Sequence, residues 1–182
     1  MKDAKAFAAS QAAFDITFRS LEKDSVGMLL EIQEEAFAVL DDPDLLRRNT
    51  AQTLECCFSE RSLVLGAYCR GEIAGFGILY DAGKDEENLA KELDECDDIT
   101  HYVNAKLIIV RPKFRGLGIQ RMLIERMVAF AKASGFKGVL ATVSPKNNYS
   151  SANLERCGFE AVKSIVKYGG KERILYFKVL GE

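Results

Sequence analysis

The stretch VRPKFRGLGIQRM, Val110 to Met122, decides the fold because it joins two regular elements through a glycine-bearing loop. The apolar run AKLIIV that leads into it is typical of a buried strand, and the amphipathic sequence after it predicts a helix over 117–134. Glycines at a helix start let an anionic group approach unpaired backbone N–H groups and the positive end of the helix dipole. Gly116 and Gly118 therefore fit a phosphate-binding loop, although a glycine pair alone also serves simply to turn the chain.

Two common nucleotide-binding loops do not fit this stretch. A P-loop ends in Gly-Lys followed by Ser or Thr, and the sequence around Gly118 has no such ending. A dinucleotide-binding fingerprint needs GxGxxG, but Arg121 stands where the third glycine belongs. Arg111, Lys113, Arg115 and Arg121 add positive charge around the loop. This charge suits a phosphate without identifying the molecule that carries it.

The composition limits what the chain can be. With 182 residues, 48% of them hydrophobic, it can bury one sizeable core, so we expect a single domain over 1–182, with a tail or an extra helix over 1–14. The 27 acidic and 25 basic residues argue against nucleic acid as a partner.

The five cysteines form no CxxC pair and no ligand set with the single histidine, so we expect no metal site and a reducing, cytoplasmic location. The N-terminal sequence breaks before a membrane span develops, so we expect no membrane partner.

The rest of the chain alternates short strands with helices. The acidic segment Asp81 to Asp98 lacks an apolar stripe, which favours a solvated connector with one helical turn at most. If it borders a substrate cleft, its charge favours a cationic substrate. The predicted elements are a strand at 16–21, a helix carrying Met28 to Leu40, a helix at 45–58, a hairpin at 62–80 that turns at Arg70 and Gly71, strands at 102–110 and 138–143, a helix at 150–156, and strands at 159–168 and 173–180.

The glycine loop resembles the acyl-CoA pyrophosphate loop of the GCN5-related N-acetyltransferase (GNAT) superfamily. That loop reads R/Q-x-x-G-x-G/A after a strand that ends in V-x-P; here VRP and RGLG match, and Gln120 takes the last small position. A later segment, VSPKNNYSSANLERCGF at 143–159, is similar to the N-x-x-S and L-E-K/R-x-G-F motifs of the same family. The resemblance covers about 16–180, and the ending IVKYGGKERIL at 165–175 is closest to a little-described bacterial subgroup.

The resemblance implies a fold and an activity. The expected α/β (α+β) GNAT fold has a mixed, mostly antiparallel central sheet of about seven strands, flanked by helices, with a splayed central strand pair. The expected activity is an N-acetyltransferase that moves the acetyl group of acetyl-CoA, or of another short acyl-CoA, to a primary amine of a small molecule or a peptide by direct attack. The alternative is a regulatory or sensor module that binds acyl-CoA with little or no turnover. A homodimer is left open.

Carried over residue by residue, the resemblance also implies a site. Many relatives carry a tyrosine that handles a proton at the position where this chain has Leu154. Some carry a carboxylate at the position where this chain has Asn104, which is expected only to position other groups. Neither residue can transfer a proton. The residues expected to bind the cofactor, largely through backbone groups, are Ile108, Ile109, Val110, Arg115, Gly116, Leu117, Gly118, Ile119, Gln120, Asn147 and Ser150.

Other side chains are substitutes for the two missing proton-handling groups. Tyr149 and Tyr168 are the candidate acids, and Tyr149 is preferred because it lies between two residues of the later motif. His101 and Glu87 are the candidate bases, with water as a relay. Packing or simple exposure is the ordinary role of such residues and stays open for each of them.

Overall fold

A computed structural model describes residues 15–181, which form one seven-stranded sheet in the order β1-β2-β3-β4-β5-β7-β6. Neighbouring strands are antiparallel except for β4 and β5, which are parallel. The tail or helix expected over 1–14 lies outside the described residues. The strands are β1 (Ile16–Ser20), β2 (Leu63–Cys69), β3 (Glu72–Tyr80), β4 (Tyr102–Val110), β5 (Gly138–Val143), β6 (Glu160–Lys167) and β7 (Lys171–Val179).

Four α-helices flank the sheet within residues 15–181. They are α1 (Val26–Phe37), α2 (Ala51–Glu55), α3 (Ile119–Ala133) and α4 (Asn148–Arg156). Helices α3 and α4 cover one face of the sheet, where Leu123 and Met127 are fully buried. Helices α1 and α2 cover the other face with Leu29 and Leu54. Burial of each such side chain contributes about 1.5–3 kcal/mol. The predicted mixed sheet with helices on its faces is confirmed.

The helix predicted over 45–58 is wrong in its first half. The buried side chain of Gln33 donates to the carbonyl of Asn49 at 3.0 Å and accepts from the Asn49 N–H at 2.8 Å. These bonds to a neighbouring helix hold the chain outside a helical conformation. Helix α2 therefore begins only after Thr50, whose side chain accepts from the Thr53 N–H at 3.3 Å.

The acidic segment 81–98, here called the strap, is not the solvated connector that its composition predicts. Leu89 and Ala90 are buried against Leu140 of β5 and Leu175 of β7. Two apolar residues form no stripe in the sequence, so the pattern gives no sign of burial. The strap is anchored across the sheet by contacts with residues far away in the chain.

The central parallel strands separate soon after they meet. Strands β4 and β5 pair at three positions only, which end at Asn104 opposite Leu140. Residues 105–110 of β4 continue without pairing to β5. The splayed central pair that the sequence predicts is confirmed.

Strand β4 also contains an irregularity on its other side. Its register with β3 shifts between Ile78 and Leu79, so that Lys106 is an extra residue in the strand. Beyond Lys106, Ile108 packs on the α3 face and Leu107 on the α1 face. The splayed part of β4 therefore presents apolar side chains to both layers.

Candidate functional site

A cavity of about 650 Å³ lies where β4 and β5 separate. Ile108 and Val110, which pack on the α3 face, line it together with Leu107 and Ile109 of the α1 face. A cavity lined from both faces passes between the strands. Two ligands can therefore meet there from opposite sides of the sheet.

The cavity has two ends of different chemistry. The glycine-loop end is formed by the loop after β4 and by the starts of α3 and α4, and the basic end is formed by cationic side chains below α1 and at the β6–β7 turn. Lining residues at the glycine-loop end are Arg115, Gly116, Gly118, Gln120, Asn147, Tyr149, Ser150 and Arg156; those at the basic end are Arg47, Lys106, Thr142, Tyr168 and Arg173.

The glycine-loop end offers unpaired backbone. Gly116 (φ 82°) and Gly118 (φ 74°) are both left-handed, a conformation that favours glycine. Gly118 is the N-cap of α3 without a side-chain cap, and the Met122 N–H donates to its carbonyl at 3.1 Å. The N–H groups of the first helical turn have no acceptor within the helix. A Cβ added to Gly116 would meet nothing within 4 Å, so a ligand can reach this backbone directly.

Two arginines supply charge at this end. Arg115 and Arg156 are both exposed, line the cavity and form no ion pair with a carboxylate of residues 15–181. Cations without a carboxylate partner beside an uncapped helix start favour a ligand with several negative charges.

The other predicted basic residues are engaged elsewhere. Arg111 donates to Glu35 of α1 at 2.7 Å, and this hydrogen bond lowers the pKa of the Glu35 carboxyl group. Lys113 pairs with Glu72, and Arg121 pairs within its own helix. None of the three lines the cavity. The positive charge that these three residues add around the loop is thus offset by nearby carboxylates.

Gln120, at the position where the resemblance expects a small residue, joins α3 to α4. Its amide nitrogen donates to the Ser150 hydroxyl at 3.0 Å, and its amide oxygen accepts from Asn153 at 2.9 Å. The polar end of the side chain is thus held against α4, and the backbone of the loop stays accessible. Asn147 caps α4 by accepting from the Ser150 N–H at 3.0 Å. Of the predicted cofactor residues, only Leu117 does not line the cavity, since it packs against the core below the loop.

The two candidate tyrosines reach different ends. Tyr149, at the start of α4, is 78% exposed. The Tyr168 hydroxyl lies 3.0 Å from the Thr142 hydroxyl, and its ring lies 4.4 Å from the Arg47 guanidinium. Both tyrosines line the cavity. A tyrosine hydroxyl therefore lies at each end of the cavity.

Asn104, His101 and Glu87 do not line the cavity. The buried Asn104 side chain accepts from the Leu89 N–H at 3.1 Å and donates to the Glu87 carbonyl at 2.8 Å, so it positions the strap. Burial tends to raise the pKa of Glu87, but hydrogen bonds from Lys106 and Arg47 outweigh it and lower that pKa. A carboxylate held ionised by two cations is a weak base.

Sequence reasoning missed the basic end. Arg47 precedes α2, and Arg173 belongs to β7, where its guanidinium donates to the Asp44 carbonyl at 2.9 Å. These residues are far apart in the chain, and no motif contains them. The only local sign was the pair of glycines after Tyr168, which predicts a turn and not a binding site.

Within residues 15–181, no group of three or more His, Cys, Asp or Glu side chains is placed to hold a metal ion. Over the same range, no helix has the length and apolar character needed to cross a membrane.

Comparison with known proteins gives a consistent result. A sequence model of the acetyltransferase (GNAT) family matches residues 26–159. The ribosomal-protein-S18-alanine N-acetyltransferase of Escherichia coli is 19% identical, with a TM-score of 0.70 over 92% of this chain and 95% of that one. The yncA protein of Salmonella typhimurium, solved with acetyl-CoA, is also 19% identical, with a TM-score of 0.68 over 92% and 95% of the two chains. A ribosomal-protein-alanine N-acetyltransferase of Brucella melitensis is 20% identical, with a TM-score of 0.70 over 90% and 99%. At such low sequence identities, the similarity to these three structures supports the fold alone. No curated protein matches the chain.

Proposed function

Because this chain belongs to the acetyltransferase (GNAT) family, we propose that it transfers the acetyl group of acetyl-CoA to a primary amine of a small molecule or a peptide. The observation that carries the proposal is the cavity between the splayed strands β4 and β5. An anion-binding helix start lies at one end and a separate side-chain cluster at the other. A reaction between two bound partners needs such an arrangement.

The glycine-loop end fits the phosphate groups of acetyl-CoA. The N–H groups at the start of α3 would hold the pyrophosphate, and Arg115 and Arg156 would add charge. Asn147 and the backbone edge of 108–110 that does not pair with β5 would orient the chain that leads to the thioester. When bound, acetyl-CoA supplies an activated acyl group.

Transfer by direct attack asks three things of this chain. It must hold the amine near the thioester, take up a proton from the amine, and stabilise the negative charge that develops on the carbonyl oxygen. The backbone N–H groups of the splayed strand suit the last task. Tyr149 would protonate the departing thiolate, and its presence in the cavity lining supports this role.

The amine must arrive neutral under this proposal. Among the described residues, no Asp, Glu, His or Cys lines the cavity, so the lining offers no carboxylate, imidazole or thiol as a base. Cys157 lies outside the lining, and burial raises its pKa to about 11. The proton of the amine therefore leaves through water or a tyrosine hydroxyl.

Release of free thiol from acetyl-CoA tests the proposal against a library of primary amines. We expect release to depend on the amine and to rise with pH as the amine loses its proton. A rate that is independent of every amine at every pH would contradict the proposal.

The lack of a carboxylate, an imidazole or a thiol among the described residues that line the cavity favours one other function. A sensor or regulatory module would bind acetyl-CoA at the same end without turning it over. Calorimetry with acetyl-CoA separates the two functions. Tight binding together with no amine-dependent thiol release across the library would favour the sensor.

We extend the proposal to the whole chain, 1–182, as one domain that works in the reducing cytoplasm as a monomer or a homodimer. The five cysteines, Cys56, Cys57, Cys69, Cys96 and Cys157, are all free, which supports a reducing location.

A further inference from the structure

The basic end of the cavity points to the chemistry of the acceptor. Arg47, Lys106 and Arg173 line this end, and no carboxylate of residues 15–181 lines the cavity at all. The acidic strap does not supply one, because the only strap carboxylate that reaches this end, Glu87, is shared between Arg47 and Lys106 at 2.7 and 2.5 Å. One negative charge between two cations leaves the end positively charged.

Arg173 carries the strongest argument. The residue is 4% exposed, and its terminal nitrogens donate to the backbone carbonyls of Glu172 at 2.8 Å and Asp44 at 2.9 Å. No carboxylate within residues 15–181 forms an ion pair with it. A buried cation without a counter-charge is costly unless a ligand supplies one.

A second guanidinium converges on the same place. The Tyr168 ring lies 4.4 Å from the Arg47 guanidinium and 5.9 Å from that of Arg173. Tyr168 adopts a left-handed conformation (φ 54°), which is costly for a residue with a side chain. The turn therefore holds the ring near two like charges, and an anion bound beside the ring would offset their repulsion.

A smaller cavity of about 340 Å³ adjoins this place. Arg47 and Tyr168 line both cavities, and Arg48 and Lys171 complete the smaller one. Arg48 pairs with Glu34 and Lys171 with Asp44, so these two cations are balanced. The volume is within the range of a small-molecule site.

We propose that the acceptor is a small amine that also carries an anionic group, a carboxylate or a phosphate, bound by Arg173 and Arg47. This inference rests on the proposed transferase function. It is the opposite of the cationic acceptor that the acidity of the strap favours. The carboxylates of the strap instead pair with lysines, as Asp94 does with Lys163 at 2.7 Å, and none of them lines the cavity.

The test compares acceptors that differ only in the anionic group. α-Amino acids are paired with their amides, and phosphoethanolamine with ethanolamine, which separates carboxylate from phosphate; putrescine is the cationic comparison. Rates of thiol release are expressed per neutral amine, because a nearby anion raises the pKa of the amine. We expect at least one anionic member to have a kcat/KM about 10-fold to 100-fold above that of its partner, the range for one hydrogen bond to a charged group.

Two variants locate the preference. Arg173→Met should remove the preference for an anionic acceptor, and Arg47→Ala should reduce it. If Arg173→Met does not fold, Arg47→Ala still tests the proposal. Lys163→Ala, which removes a half-buried cation that does not line the cavity, should keep the preference. Turnover of neutral or cationic amines without any gain from an anionic group would overturn the inference and leave the transferase proposal standing. A preference that survives in both arginine variants would overturn it as well. Absence of turnover with every amine would overturn both proposals.

Discussion

The two ends of the cavity bind by different means. The glycine-loop end presents main-chain N–H groups and two glycines, whereas the basic end presents side chains from the chain before α2, from β4 and from β7. A backbone site changes little when side chains are replaced, provided that the loop keeps its shape. A side-chain site changes with each residue. One scaffold can therefore keep its cofactor while it changes its acceptor.

The largest effect is expected where a substitution blocks the backbone itself. Gly118→Glu places a negative charge and a side chain at a left-handed position beside the start of α3. Acetyl-CoA affinity should fall by about 100-fold or more, which calorimetry measures. Gly118→Asn is the matched control, because asparagine tolerates this conformation, and should lose much less. Equal affinity in Gly118→Glu and the parent protein would refute the backbone site.

Turnover is expected to depend on one tyrosine more than on the other. Tyr149→Phe should lower kcat by about 10² to 10⁴ and leave acetyl-CoA affinity nearly unchanged, as loss of a general acid does. Tyr168→Phe should act mainly on the KM of the acceptor, because its hydroxyl lies at the basic end with Thr142. Steady-state kinetics with the best acceptor distinguishes the two. If neither variant is slower, the thiolate leaves through water.

A smaller effect on acetyl-CoA binding is expected at Gln120. This substitution tests whether the loop backbone or this side chain forms the glycine-loop end. Gln120→Ala removes both hydrogen bonds between α3 and α4 and should lower the free energy of unfolding by about 1–3 kcal/mol. Acetyl-CoA affinity should fall less than about 10-fold, since the loop N–H groups remain. Ser150→Ala, which breaks only one of the bonds, should cost less stability. Loss of binding as complete as in Gly118→Glu would show that the side chain, and not the backbone, forms this end.

The smallest effect concerns pH and the basic end. The pKa of Glu87 is lowered in the folded protein, so its contribution to stability is present above its unfolded pKa and is lost as pH falls through the folded value. Glu87 is partly exposed, so the contribution is about 1 kcal/mol or less after screening. Denaturant unfolding of the parent and Glu87→Gln should therefore differ at pH 7, and the difference should shrink as the pH falls through the lowered pKa of Glu87 in the folded protein. A difference that persists in acid would exclude this linkage.

The sequence was informative where function depends on contiguous residues. The loop at 115–118 and the segment at 143–159 are each short, so their chemistry is visible as a motif. The mostly antiparallel sheet of seven strands and its splayed pair follow from the family that those motifs indicate, and both are confirmed.

The rest of the site depends on long-range contacts that no local pattern encodes. Gln33 decides where α2 begins, although it lies on another helix. The strap is held by two apolar residues and by the buried side chain of Asn104. Arg47 and Arg173 meet around Tyr168 only after the sheet is assembled.

The extra residue in β4 makes the bulge in that strand as important as its composition. In a regular strand, positions an even number of steps apart share a face, yet Val103 and Ile108, an odd number of steps apart, pack on the same face. The bulge at Lys106 accounts for this, because one residue without a partner in β3 shifts the alternation by one step. A strand of the same sequence without the bulge would place every residue from Leu107 onward on the opposite face, whereas removal of Lys106 together with the bulge would leave those residues on their present faces. In this part of the chain the bulge, which an apolar run such as LIIV does not reveal, sets which side chains face the α3 layer and which face the α1 layer.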